Sequence, residues 1–260
     1  MGKYDSSKTR VAPVFNCLRA KDPTGRSWLP KLLDLPNRRN EISLPSNCDF
    51  TIQRACWEPN EIKLDPPVAL LSWLIRNPTR PKSGELSADP VKQTKRRELI
   101  SGCENRLVEA LALLRHNPHN EDWHIVEGQT RPDVFIVTRD VSIVIEGKRT
   151  EREATTCTTW MAGRHQMLRH IDCAWEIRAK KQVIGFFIVE GDGNEGDIPP
   201  HWLDYSRKTT SAAAMGASLP HRGPEEQGGI ASCFIGVTTW QTVCREFGIN
   251  WAGLPMCAAD

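Results

Sequence analysis

The sequence predicts an α/β fold: a mixed central sheet covered by helices on both faces, preceded by an irregular N-terminal extension. Three observations point to it. Short runs rich in Val and Ile, "DVFIV", "VSIVIE" and "QVIGFFIVEGD", have the length and branched side chains of buried strands. Two longer segments, "RRELISGCENRLVEALALLRH" and "ATTCTTWMAGRHQMLRHIDCAWEIRAKK", repeat apolar residues at helical spacing. The predicted order is helix, three strands, helix, strand, loop, strand, helix, which suits a sheet between helical layers.

Residues 1–65 are rich in Pro, Asn, Arg and Lys and show no sustained period, and we set residues 1–93 apart as an extension, with one short helix, that binds substrate or a partner. Within them "DPPVALLSWLIRN" reads as a short helix, capped by Asp65 with Pro66 and Pro67 in its first turn. Residues 94–260 hold the core. Its first helix spans about 94–116, with Ile100, Cys103, Leu107, Leu111 and Leu114 on one stripe. "WHIVEGQ" reads as a strand, followed by the hairpin in "RPDVFIVTRDVSIVIEGKRTE". The second long helix buries Trp160, Leu168, Ile171 and Trp175, and "QVIGFFIVEGD" is a strand buried on both faces. The polar stretch 204–229 reads as mobile; "IASCFIGVTTW" and "TVCREFGI" close the chain as strand and helix.

Composition excludes several classes. Charged residues make up 25% and hydrophobics 39%, as in ordinary globular proteins. The longest apolar run, Val68–Ile75, is too short to span a bilayer. The myristoylation-like start "MGKYDS", with Gly2, is too short a pattern to weigh. Nine scattered cysteines form no CxxC pair, which disfavours structural zinc and fits a reducing, cytoplasmic location. His116, His119 and His124 lie in or beside a Pro/Asn turn and read as incidental, and "GDGNEGD" lacks calcium-loop ligands at Gly196 and beyond. No nucleophile elbow, HExxH or Walker loop is present. Residues 131–181 hold ten Lys/Arg against seven acids, a weak pointer to a polyanion.

The chemistry concentrates in the hairpin. If it turns at Arg139-Asp140, Asp133 lies directly across from Glu146; a turn one residue longer still leaves both carboxylates near one end. Glu146 and Lys148 share a face because strand side chains alternate. Two acids so close raise one another's pKa unless a cation intervenes, and hard oxygen ligands favour Mg²⁺ or Mn²⁺. Such an ion serves phosphodiester cleavage; an ordinary ion-paired hairpin is the simpler alternative.

"PD" at Pro132-Asp133 followed by "EGK" at Glu146-Gly147-Lys148 resembles the PD-(D/E)XK nuclease superfamily, the restriction-endonuclease-like fold, over about Arg97 to Glu190. The resemblance implies an Mg²⁺- or Mn²⁺-dependent nuclease acting mostly on DNA rather than RNA. It implies Asp133, Glu146 and the Gly147 carbonyl as metal ligands and Lys148 as the catalytic lysine. Many members add a glutamate from the first core helix, for which Glu104 is preferred over Glu109. A RecB-like subset carries Gln then Tyr on the following helix; here Gln166 and His170 hold that spacing, and we read them with Arg149 and Arg164 as substrate contacts. Members often pair as homodimers or join larger nucleoprotein complexes. The runner-up is a nucleic-acid-binding or assembly subunit that keeps the fold without catalysis.

Overall fold

Five strands run across the sheet in chain order in this computed structural model: β1 (Arg54–Trp57), β2 (Val134–Val137), β3 (Val141–Gly147), β4 (Gln182–Val189) and β5 (Phe234–Thr239). The structure describes residues 5–44, 47–81, 87–118, 122–193 and 195–257; Gly2, His119 and Asn194 of the "GDGNEGD" loop lie outside these. β1, β2 and β3 form an antiparallel meander, whereas β4 and β5 continue parallel to β3. The architecture is a mixed α/β sheet flanked by helices.

The β2–β3 hairpin folds as its sequence dictates. β-branched residues suit the pleat, and the Thr138 hydroxyl accepts the Asp140 and Val141 N–H groups, closing a tight turn. Val134 opposes Ile145. Ile143 and Ile145 pack on one face with Val11 and Phe15, and Val144 packs on the other with Ile171 and Trp202. That double burial explains the continuous apolar runs of β3 and β4. A parallel pair needs a crossover, and α6 (Gln166–Glu176) supplies it between β3 and β4.

The N-terminal residues are part of this unit rather than an irregular extension. A π-helical turn (Ser7–Val11) leads into α1 (Ala12–Lys21), and α2 (Leu29–Asp34) follows. Val11, Val14, Phe15 and Leu18 are fully buried against β2–β4, and residues 54–57 supply the edge strand. The expected short helix is α3 (Val68–Arg76), although Asp65 accepts from Gln129 Nε2 rather than capping it.

The helix expected over 94–116 is two, α4 (Pro90–Ile100) and α5 (Glu104–His116), separated where Gly102 adopts φ +83°. Both pack with α3 around Trp123, away from the sheet. "WHIVEGQ" is not a strand: Arg96 donates to the Trp123 and Ile125 carbonyls, satisfying backbone that would otherwise seek a neighbour. The second long helix is helical only within α6. Residues before it fold back through a Cys157–Ala162 bridge, with Gly163 at φ +83°. The stretch expected to be mobile lies in α7 (Pro200–Thr209), α8 (Ala212–Ser218) and α9 (Pro224–Ala231). Their residues Trp202, Met215 and Ile230 cover the second sheet face. α10 (Trp240–Glu246) closes the first face. No helix among the described residues is long and apolar enough to cross a membrane.

Candidate functional site

Asp133, Glu146, Gly147 and Lys148 meet where β2 begins and β3 ends. Val134 opposes Ile145, so Asp133, one residue before β2, lies beside Glu146 and Gly147 at the end of β3, where it meets Ser7 of the π-helical turn. Asp133 Oδ2 accepts the Gly147 N–H at 2.8 Å, and Oδ1 accepts the Ser7 hydroxyl at 2.7 Å. Burial pushes the Asp133 carboxyl well above its ordinary range, and the Glu146 charge adds to this; the Ser7 and Gly147 donors and Lys148 offset only part. Asp133 is therefore a carboxylate short of positive charge.

Glu146 is the opposite case. It is 4% exposed, and burial alone opposes its ionisation. Yet His170 Nε2 lies 3.0 Å from Oε2, while Lys148 Nζ (2.8 Å) and Gln166 Nε2 (2.6 Å) both donate to Oε1. His170 and Lys148 outweigh burial and hold its pKa below normal. Burial opposes the charge of Lys148 too, but the Glu146 carboxylate outweighs it and raises the ammonium's pKa. The two shifts agree: Glu146 and Lys148 form a buried ion pair. Behind it, Thr130 Oγ1 meets His170 Nδ1 at 2.8 Å and fixes the ring.

Gly147 has no room for a side chain, because a Cβ there would sit 2.8 Å from both Trp240 Cζ2 and Val11 Cγ2. Its carbonyl accepts the Ser6 hydroxyl at 3.1 Å, and Trp240 Nε1 donates to the Lys148 carbonyl at 3.1 Å. The strand end is thus pinned from the α1 side by the π-helical turn and from below by α10.

No family model, no curated protein and no solved structure matches this chain. The site has to be read from its own geometry.

Other sequence-predicted residues fall differently. Glu104 is exposed at the start of α5, a helix packed on α3 and Trp123 rather than the sheet, so it does not join the carboxylates. Glu109 pairs with Lys95 and Arg106. Gln166 and His170 do share a face of α6, but they hold Glu146. Arg164 is enclosed, with Asp172 Oδ2 at 2.8 Å and the Ser218 carbonyl at 2.7 Å. Arg149 is buried on the other side of the sheet, 3.3 Å from Glu190 and donating to the Met256 carbonyl. Neither arginine is open to a substrate phosphate. Among the described residues no group of three or more His, Cys, Asp or Glu side chains is arranged to hold a metal ion.

Three residues were missed. Ser6 and Ser7 reach the site from 141 and 126 residues away in sequence. Glu61, half-buried after β1, has its pKa raised by burial, then by Glu58 and Glu146, which places it within reach of the site's charge. Only Glu61's place after an apolar strand-like "RACW" hinted at this.

Proposed function

We propose that this chain is a divalent-metal-dependent nuclease of the PD-(D/E)XK, restriction-endonuclease-like kind, hydrolysing phosphodiester bonds, with DNA the favoured substrate. The observation that carries this reading is the meeting of Asp133, Glu146 and Lys148 at one hairpin end, with Asp133 left short of positive charge. The antiparallel β1–β3, the crossover helix α6 and the parallel β4 also support it, with α1 on the sheet where the sequence suggested residues 94–116 and α3–α5 inserted between β1 and β2.

The donor set fits a hard cation that takes few protein ligands: two carboxylates and the Gly147 carbonyl, all oxygen. Asp133, Glu146 and that carbonyl would hold Mg²⁺ or Mn²⁺, which when bound acidifies water and offsets charge on the phosphoryl group. The chain's own residues do the rest. Gln166 and His170 lock Glu146 in one rotamer. Lys148, its pKa raised, stays an ammonium at neutral pH and acts as a fixed positive charge for the attacking water and phosphate, not as a base. The preference for DNA rests on the resemblance alone.

The enclosure of Glu146 by three donors, with Ser7 on Asp133, favours a second reading: a fold retained for binding nucleic acid without cutting it. Cleavage of supercoiled, linear and single-stranded DNA and of RNA, with Mg²⁺ or Mn²⁺, decides between them. Wild type is expected to cut, and Glu146→Gln and Lys148→Met to lose about 100-fold or more while staying folded. Binding without metal-dependent cutting would establish the second reading.

A further inference from the structure

Beside the carboxylates lies a cleft of about 340 Å³ bordered by Gln166 and His170. It adjoins a larger cavity of about 630 Å³, the two sharing Cys157, Thr158 and Arg169 in their walls. One turn of α6 serves both: Gln166 and His170 reach Glu146, whereas Arg169 Nε lies 2.9 Å from Glu127 Oε1. Glu127 lines the larger cavity, is 1% exposed, and its Oε2 accepts no hydrogen bond among the described residues. Thr158 Oγ1, on the shared wall, is likewise buried without a partner. Buried polar atoms left unsatisfied are costly, and here they line a space of small-molecule size. Ile125 and the half-buried Trp160 supply apolar wall.

We infer that this cavity receives an unstacked nucleobase of the substrate strand and selects one carrying an exocyclic amino group. This rests on the nuclease reading for its substrate class. An amino N–H supplies what Glu127 Oε2 lacks, as carboxylates accept from cytosine N4 elsewhere. Uracil and thymine present a carbonyl oxygen at that position and meet the carboxylate with like partial charge. Trp160 offers a ring for the base to lie against.

The test compares (dC)8 with (dU)8, which exchange an amino group for a carbonyl, by calorimetry on the full chain in EDTA, where no cutting occurs. Wild type is expected to bind (dC)8 about fivefold or more tightly than (dU)8, and Glu127→Gln to lose that ratio. Trp160→Leu, at a half-buried position, is expected to weaken both oligomers alike and keep the ratio. Equal affinity in wild type, or an unchanged ratio in Glu127→Gln, overturns the inference. Binding of dCMP as tight as (dC)8 assigns the cavity to a free nucleotide and overturns the strand assignment. A base preference without Mg²⁺-dependent cleavage sinks the nuclease reading and leaves the pocket; cleavage without base preference does the reverse.

Discussion

Replacing Asp133 by Asn is expected to stabilise the metal-free protein and to abolish its response to Mg²⁺. The β2–β3 register, continued one residue beyond Val134–Ile145, sets Asp133 beside Glu146, at a cross-strand spacing of about 5 Å. Two unit charges about 5 Å apart repel by about 3 kcal/mol at an effective dielectric of about 20. Lys148, bonded to Glu146, cancels part of this, and protonation of Asp133 relieves more, leaving about 1–2 kcal/mol. Asn keeps the hydrogen bonds: its oxygen accepts the Gly147 N–H, and the Ser7 hydroxyl rotates to accept from its amide. For a chain of this size the gain amounts to about 3–6 °C in Tm.

The pH dependence has a fixed sign. The folded-state pKa of Asp133 is raised, so the native protein holds a proton that the unfolded chain has lost. Its contribution is full below the ordinary carboxylate pKa and disappears as pH rises through the folded value, and Asn removes that slope. Thermal unfolding in EDTA and in millimolar Mg²⁺ measures all of this, since a ligand bound only by the folded state raises Tm. A variant less stable than wild type in EDTA, or one stabilised by Mg²⁺ as much as wild type, refutes the reasoning.

Three further outcomes are expected. Gly147→Ala should destabilise by about 1–3 kcal/mol through contact with Trp240 and Val11, read as a drop in denaturation midpoint; no change would mean the strand end gives way freely. His165, stacked on Tyr205 with ring centroids 5.0 Å apart, has its pKa lowered to about 4 by burial, then by His170. It stays neutral in the fold while the unfolded chain protonates near 6.5, so about 3 kcal/mol is present above that pH and lost as pH falls towards 4. His165→Asn should flatten that part of the stability curve. Ser7→Ala removes a donor that favours the ionised form of Asp133, so the acid limb of metal-dependent activity should move to higher pH; an unmoved limb would leave Ser7 a packing residue.

The hairpin was legible because its signals are local. Alternation fixes which side chains share a face, and Thr138 and Val141 close a short turn, so the register followed from a few adjacent residues. The same reasoning overreached with Glu104, where the helical stripe continued across Gly102 and nothing in the apolar pattern marked the break. Helix α1 was missed despite Val11, Val14, Phe15 and Leu18 standing at helical spacing, because Pro13 and the basic residues around them resembled a loop. Pro13 instead occupies the first turn, where its missing N–H costs nothing. The serine contacts were out of reach in principle: two hydroxyls meeting a strand over 100 residues away leave no periodic trace.

Asp172 offers a comparison for Asp133 within the same fold. Asp172 is fully buried and Asp133 half-buried, and both accept hydrogen bonds. Asp172 is surrounded by Arg164 at 2.8 Å, Arg222 at 3.0 Å and His221 at 3.2 Å. Burial opposes its charge, but Arg164, the His221 hydrogen bond and Arg222 outweigh burial and hold its carboxyl well below the ordinary range. It joins α6 to the segment before α9 as an ion-pair core. Among the described residues Asp133 accepts from a hydroxyl and a backbone N–H, and burial together with the nearby Glu146 charge drives its pKa up. The fold thus surrounds Asp172 with arginines while Asp133, at the strand end beside the Glu146–Lys148 pair, has no ion-pair partner among the described residues. That asymmetry supports the proposal that Asp133 serves a cation, and loss of the Mg²⁺ response in Asp133→Asn is its test.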